Sequence, residues 1–176
     1  MSAFLMYGDR QKNLPIMVAL ICLVFLFIIM ASIDYETHNI YNLTLIIFAT
    51  LAIFIASYRE FVLEENLWNY LGGAALGFVF LLLIGLIAKF IMKREALGSG
   101  DVFIVGIGGL LLGVFPLLIA IMISSLIGSI VELTKIKLNK QSRENEIAFG
   151  PYLLLGIGFM AIYGEALMDF YWKVVF

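Results

Sequence analysis

Long apolar runs alternate with short polar breaks along the whole chain. The first run, about Leu14–Ile33, carries Pro15 in what would be an opening helical turn, where a missing N–H costs nothing. The polar segment from Asp34 to Asn42 ends it. A second run covers about Leu43–Ser57, flanked by Tyr41 and Tyr58 as interface aromatics flank a membrane span. Arg59, Glu60, Glu64 and Glu65 make the next break. A third run, about Leu67–Met92, opens with Trp68 and Tyr70 and contains Gly73-xxx-Gly77, a spacing that lets helix backbones approach closely. Beyond the polar stretch from Lys93 to Asp101 lies an uncharged run from Val102 to Val131. As one helix it would be about 45 Å long, against a hydrocarbon thickness of about 30 Å. The pattern therefore predicts a break at Gly113–Pro116, with a short helix over about Val102–Leu112 and a fuller one over about Phe115–Leu133. A last run, about Pro151–Tyr171, completes six. Gly109-xxx-Gly113 and Ser125-xxx-Ser129 are expected to be packing positions.

Composition turns these runs into membrane spans. Of 176 residues 63% are hydrophobic and 14% charged, whereas soluble domains hold about 45–50% apolar and about 25% charged residues. Six spans of about 20 residues use about 120 and leave fewer than about 60 for connections and tails. No soluble catalytic domain fits, so residues 1–176 are expected to form a single membrane-embedded domain. Backbone left unpaired in lipid costs several kcal/mol, so an all-α, polytopic bundle is the expected fold. The first run is too long for a signal-peptide core and is read as a retained span.

Charge sets the expected orientation. With the break, one side holds Lys89, Lys93, Arg94, Lys135, Lys137, Lys140 and Arg143, and the other holds Arg10, Lys12, Arg59 and Lys173. The richer side is expected to be cytoplasmic, with both termini outside. A net charge of −2 without a basic cluster gives no support for a nucleic-acid partner. Cys22 is the one cysteine and His38 the one histidine, so neither a disulfide framework nor a metal site is expected, and no cofactor is implied. Cys22 is read as a buried structural thiol.

In this arrangement Asp34 ends a helix arriving at the cytoplasmic face and Asp101 begins one leaving it. Brought together, two carboxyl groups share a proton, and the pair can activate a water for attack on a carbonyl. The negative C-terminal end of the first helix favours the protonated form of Asp34, and the positive N-terminal end of the fourth favours ionised Asp101. Gly98 and Gly100 suit unusual backbone conformations and leave room for a peptide beside the carboxylate. Plainer readings stand beside these: a Gly/Ser turn ending in Asp is also an ordinary helix N-cap, and Asp34 is also an interfacial residue ending a span. Glu165 and Asp169, near Lys173 and Trp172, read as interfacial anchoring.

Three motifs occur in order: Ile33-Asp34 followed by Ile40-Tyr41-Asn42; Gly98-Ser99-Gly100-Asp101-Val102; and Glu146-Ile147-Ala148-Phe149-Gly150-Pro151-Tyr152 with Gly156. Together they resemble the type IV prepilin peptidases, over about Ile33 to Gly156. The resemblance implies a membrane aspartic protease of the GxGD type, with Asp34 and Asp101 as the catalytic pair. It further implies cleavage of short leaders from pilin-like precursors at the cytoplasmic face of the cell membrane, with Asn42 and Phe149-Gly150-Pro151 shaping the site. Tyr41 stands where that family usually has proline, and Phe103 where a lysine commonly follows the aspartate. His38, four residues after Asp34, is a candidate electrostatic substitute if the segment is helical. The cysteine-bearing domain that many bacterial members carry has no counterpart here, so the resemblance implies a peptidase-only short form.

The alternative is a small ion- or proton-coupled transporter, since carboxylates on six short-looped helices are also a transport signature. Asp34 and Asp101 are not in equivalent places of a three-plus-three repeat, and both are expected at a surface rather than the midplane. A non-catalytic assembly subunit explains the apolar content but not two aspartates on one face.

Overall fold

The computed structural model describes residues 10–37, 41–92, 98–138 and 149–175, all but a few of them helical. The helices are α1 (Arg10–Thr37), α2 (Asn42–Leu63), α3 (Leu67–Met92), α4 (Ser99–Leu112), α5 (Val114–Lys137) and α6 (Gly150–Val175). His38, Lys93, Arg94, Lys140, Arg143 and Glu146–Ala148 lie outside the described residues. Four of the helices, α1, α2, α3 and α5, are long and apolar enough to cross a membrane. Shorter apolar helices are Ser99–Leu112 and the Gly150–Gly164 portion of α6.

The run from Val102 to Val131 is broken where its length demanded. α4 ends at Leu112 and α5 starts at Val114, with Gly113 between them at φ 82°. That left-handed backbone is open to glycine at little cost and is strained for other residues. Pro116 falls in the first turn of α5, where proline needs no N–H partner. The freed backbone groups find partners on neighbouring helices: the Val114 N–H donates to Asn69 Oδ1 at 3.4 Å, and Arg59 Nη1 donates to the Leu111 carbonyl at 3.3 Å. Arg59 also donates to Tyr70 Oη at 3.3 Å, and the Tyr70 hydroxyl donates to Glu65. Such partners re-satisfy the backbone groups that a helix break leaves open.

Breaking the run lets the short helix sit inside the bundle. α4 packs against α2, α3, α5 and α6, and buries Ile104, Val105, Gly106, Gly108, Gly109, Leu111 and Leu112. Its closest neighbour is α3, along the glycine spacing noted in the sequence. A Cβ on Gly73 would lie 2.5 Å from the Gly109 carbonyl oxygen and 2.7 Å from the Gly113 carbonyl carbon, and one on Gly77 would lie 2.8 Å from the Val105 carbonyl oxygen. On α5 the small-residue face is one position earlier than expected. Ser125 and Ser129 are exposed, while Ser124 and Gly128 are buried. A Cβ on Gly156 would strike Ser124 Oγ and come within 2.5 Å of the Ala120 carbonyl oxygen, so α5 and α6 also meet backbone to backbone.

Two further expectations change. α1 does not stop at Asp34 but runs on to Thr37. Cys22 is exposed on the outer face of α1 rather than buried, because α1 turns Ala19, Leu23, Leu26, Phe27 and Met30 toward the core. Tyr41, just before α2, has φ −71°, close to the value of about −65° that proline would impose.

Gly73→Val is expected to force α3 from α4 and cost at least about 1–3 kcal/mol. The check is a thermal melt in detergent against Leu86→Val on the exposed face of α3; equal melting temperatures for the two variants would contradict the packing described.

Candidate active site

Three helix ends meet at one end of the bundle. Asp34 lies in the last turn of α1, because the chain carries no breaker before Thr37 and the helix continues past it. Asp101 is the third residue of α4, whose N-cap is Gly98; the Asp101 N–H donates to the Gly98 carbonyl at 3.1 Å, and its carboxyl group interacts with the Gly98 backbone amide. Gly150 is the first helical residue of α6, with Phe149 accepting from the Tyr152 and Leu153 N–H groups at 3.1 and 3.2 Å.

Both carboxyl groups are almost fully buried, Asp34 at 5% and Asp101 at 6% exposure. What they share is the α-carbon of Gly150. A Cβ there would overlap Asp34 Oδ2 and stand 3.2 Å from Asp101 Oδ1. One point closer than van der Waals contact to the first oxygen and 3.2 Å from the second puts the pair within reach of a single bridging water, whose two hydrogen bonds are about 2.8 Å each. Two carboxylates this close and this dry repel strongly, so the low-energy state is a pair holding one proton between them. That is the state able to take a proton from water and give one to a carbonyl oxygen.

The glycines contribute differently from expectation. Gly98 is extended at φ −67° and ψ 140°, and Gly100 is helical, so neither uses left-handed backbone. A Cβ on Gly98 would make an ordinary 3.5 Å contact with Asp101 Oδ2. The crowded glycine is Gly150. Gly98 and Ser99, at the N-terminal turn of α4, are exposed.

Of the remaining predicted residues, some lie at this end of the bundle and others do not. Asn42 is exposed at the start of α2, at the same end of the bundle. Phe149 and Pro151 are half-buried in the turn that presents Gly150. Phe103 stacks on Phe78 with ring centroids 5.7 Å apart, so α4 packs at the position where a cation was looked for. Asp169 and Lys173 are exposed toward the far end of α6. A third buried carboxylate escaped the sequence reading: Glu132, 7% exposed, accepts from Lys135 Nζ and from Tyr152 Oη, both at 2.8 Å. A lone acid closing an apolar run was the available signal.

A profile of the type IV leader peptidase family matches residues 20–133, which include Asp34 and Asp101. The chain belongs to the type IV leader peptidase family. It is 30% identical to a prepilin leader peptidase/N-methyltransferase of Bacillus subtilis over 149 residues, 85% of this chain and 57% of the relative. A protein of the same name from Stutzerimonas stutzeri is 25% identical over 143 residues, 81% of this chain and 48% of its own. One from Legionella pneumophila is 33% identical over 78 residues, 44% of this chain and 27% of its own. The chain thus spans about half the length of the first two relatives. No solved structure matches it significantly. Gly150 lies beyond the residues the family profile covers; it is expected beside the site, and the structure adds its direct approach to both carboxyl groups.

Gly150→Ala is expected to push the first turn of α6 off the carboxyl groups and open them to solvent. Labelling of Asp34 and Asp101 by a water-soluble carbodiimide, followed by peptide mass spectrometry, should rise several-fold over the native protein; unchanged labelling would show that Gly150 does not cover them.

Proposed function

We propose that this chain is a membrane aspartic endopeptidase that removes the leader peptide from prepilin-like precursors at the cytoplasmic face of the cell membrane. The observation that carries the reading is the convergence of Asp34 and Asp101 on the α-carbon of Gly150. The relatives' printed names supply the substrate class. The six-span topology with both termini outside is part of the same reading. It needs α4 and α6 to cross as well, with α4, at 14 residues, reaching only about 21 Å. Arg59 and Asn69 support it, since they serve the backbone where that short helix stops.

The reaction follows from the pair. Ionised Asp101, at the positive end of α4, takes a proton from a water held between the two carboxyl groups, and the oxygen attacks the scissile carbonyl carbon. Protonated Asp34, at the negative end of α1, gives its proton to the carbonyl oxygen, forming a neutral tetrahedral diol. Collapse breaks the C–N bond as the leaving nitrogen takes the proton that Asp101 gained, one diol hydroxyl returns its proton to the Asp34 carboxylate, and the acid and amine products depart with the pair restored to its starting state. Amide hydrolysis by this route needs the peptide extended at the cleaved bond. The exposed Gly98–Ser99 turn is where an extended segment fits beside Asp101.

Incubation of the purified protein with a prepilin-like peptide should give a single cut, and Asp34→Asn and Asp101→Asn should each lower its rate at least about a thousandfold. Survival of activity in either variant would overturn the mechanism and return weight to a transporter. A neutron structure with the proton on Asp101 rather than Asp34 would reverse the assigned roles.

Topology has its own test. In a Cys22→Ala background, cysteines placed at Gly98 and Lys137 should react with an impermeant maleimide from the cytoplasmic side, and one at Lys173 from the opposite side. Labelling of all three from one side would contradict the six-span reading.

A further inference from the structure

Glu132 has no part in the chemistry above, yet it is buried. A carboxylate at 7% exposure near a membrane interface is costly, and such residues are retained where they are paired. Its partners join three helices. Within α5, Lys135 Nζ donates to Glu132 Oε1 at 2.8 Å. From α6, the Tyr152 hydroxyl donates to the same oxygen at 2.8 Å. The Lys135 ammonium also stands 5.8 Å from the centroid of the Tyr35 ring on α1, a cation–π contact.

Each tyrosine is close in sequence to a residue of the site. Tyr35 follows Asp34 directly, and Tyr152 is two residues after Gly150. The last turn of α5 therefore grips both the helix end that carries Asp34 and the turn that presses on it. Packing reinforces the grip: a Cβ on Gly128, one turn before Glu132, would lie 3.2 Å from the Tyr152 ring and 3.4 Å from that of Phe149, so α5 is bare where those two rings lie. Lys135 also interacts with the Tyr152 hydroxyl, so Glu132 and Lys135 both reach the opening turn of α6.

We infer that Glu132 and Tyr152, with Lys135, are positioning residues: they fix the first turn of α6 and hold Gly150 against Asp34 and Asp101, so that the two carboxyl groups stay one water apart. None of the three touches the reacting atoms. The inference rests on the peptidase reading for its kinetic consequence and on the geometry alone for its structural one. A hydrogen bond to a charged acceptor is the connection at stake, and its loss misplaces the site rather than removing a catalytic group.

The test has two arms. In the cleavage assay, Tyr152→Phe and Glu132→Leu should each lower kcat about tenfold with KM within about twofold, because the loss falls on the geometry of the carboxyl pair rather than on substrate contacts. Glu132→Gln, which keeps an acceptor for the Tyr152 hydroxyl, should recover most of that loss. A raised KM with unchanged kcat, or a Gln variant no better than Leu, would overturn the assignment. The second arm needs no activity. Amide hydrogen exchange in the peptide spanning residues 149–154 should quicken in Tyr152→Phe while residues 157–163 exchange as in the native protein. Unchanged exchange at 149–154 would overturn the inference even with the peptidase mechanism intact, and cleavage surviving in Asp34→Asn would sink that mechanism while leaving this arm to decide the latch.

Discussion

Two carboxyl groups held nearly dry and one water apart repel each other and resist burial, so something must hold them there. Here the holding is done by three helix ends. The last turn of α1 carries Asp34, the first turn of α4 carries Asp101, and the first turn of α6 lays the bare α-carbon of Gly150 across both. The remainder of the bundle can be understood as what fixes those three ends at one level.

The short helix is the hardest to fix. α4 is buried among four neighbours, and it stays there because Gly73, Gly77 and Gly109 allow α3 to pack on it backbone to backbone. Its far end stops at Gly113, leaving backbone groups that need partners. Arg59 and Asn69 answer that problem from α2 and α3. The break at Gly113 keeps α4 short: a straight helix through this stretch would carry Asp101 at the end of a long rod, whereas the broken one lets α4 sit inside the bundle. α5 then returns to the same end and meets α6 through Ser124, Gly128 and Gly156, closing the bundle beside the carboxyl groups.

Much of this was legible before any coordinates. The apolar runs located the helices, and the bounds of α3 coincide with the run from Leu67 to Met92. The need for a break followed from length, and its place from Gly113 and Pro116. Asp34, Asp101 and Gly150 were all named from motifs. What stayed hidden has physical reasons. Polar residues mark an interface without ending a helix, so α1 continues one turn past Asp34. A helix apolar all round gives no stripe to tell its packed face from its lipid face, which is why Ser125 and Ser129 were chosen over Ser124 and Gly128, and why Cys22 was placed inside. The purpose of Gly150 was invisible because it depends on two side chains distant in sequence. Glu132 escaped for the same reason, its partner Tyr152 lying 20 residues further on.

The central claim is that one water joins the two carboxyl groups beside Gly150. A high-resolution experimental structure of the protein in lipid with an uncleavable prepilin-like peptide bound tests it most directly. The account predicts a single water or a carbonyl hydrate within hydrogen-bonding distance of both Asp34 and Asp101, with Gly150 packed on them. Carboxyl groups too far apart to share one water, with peptide bound, would contradict it.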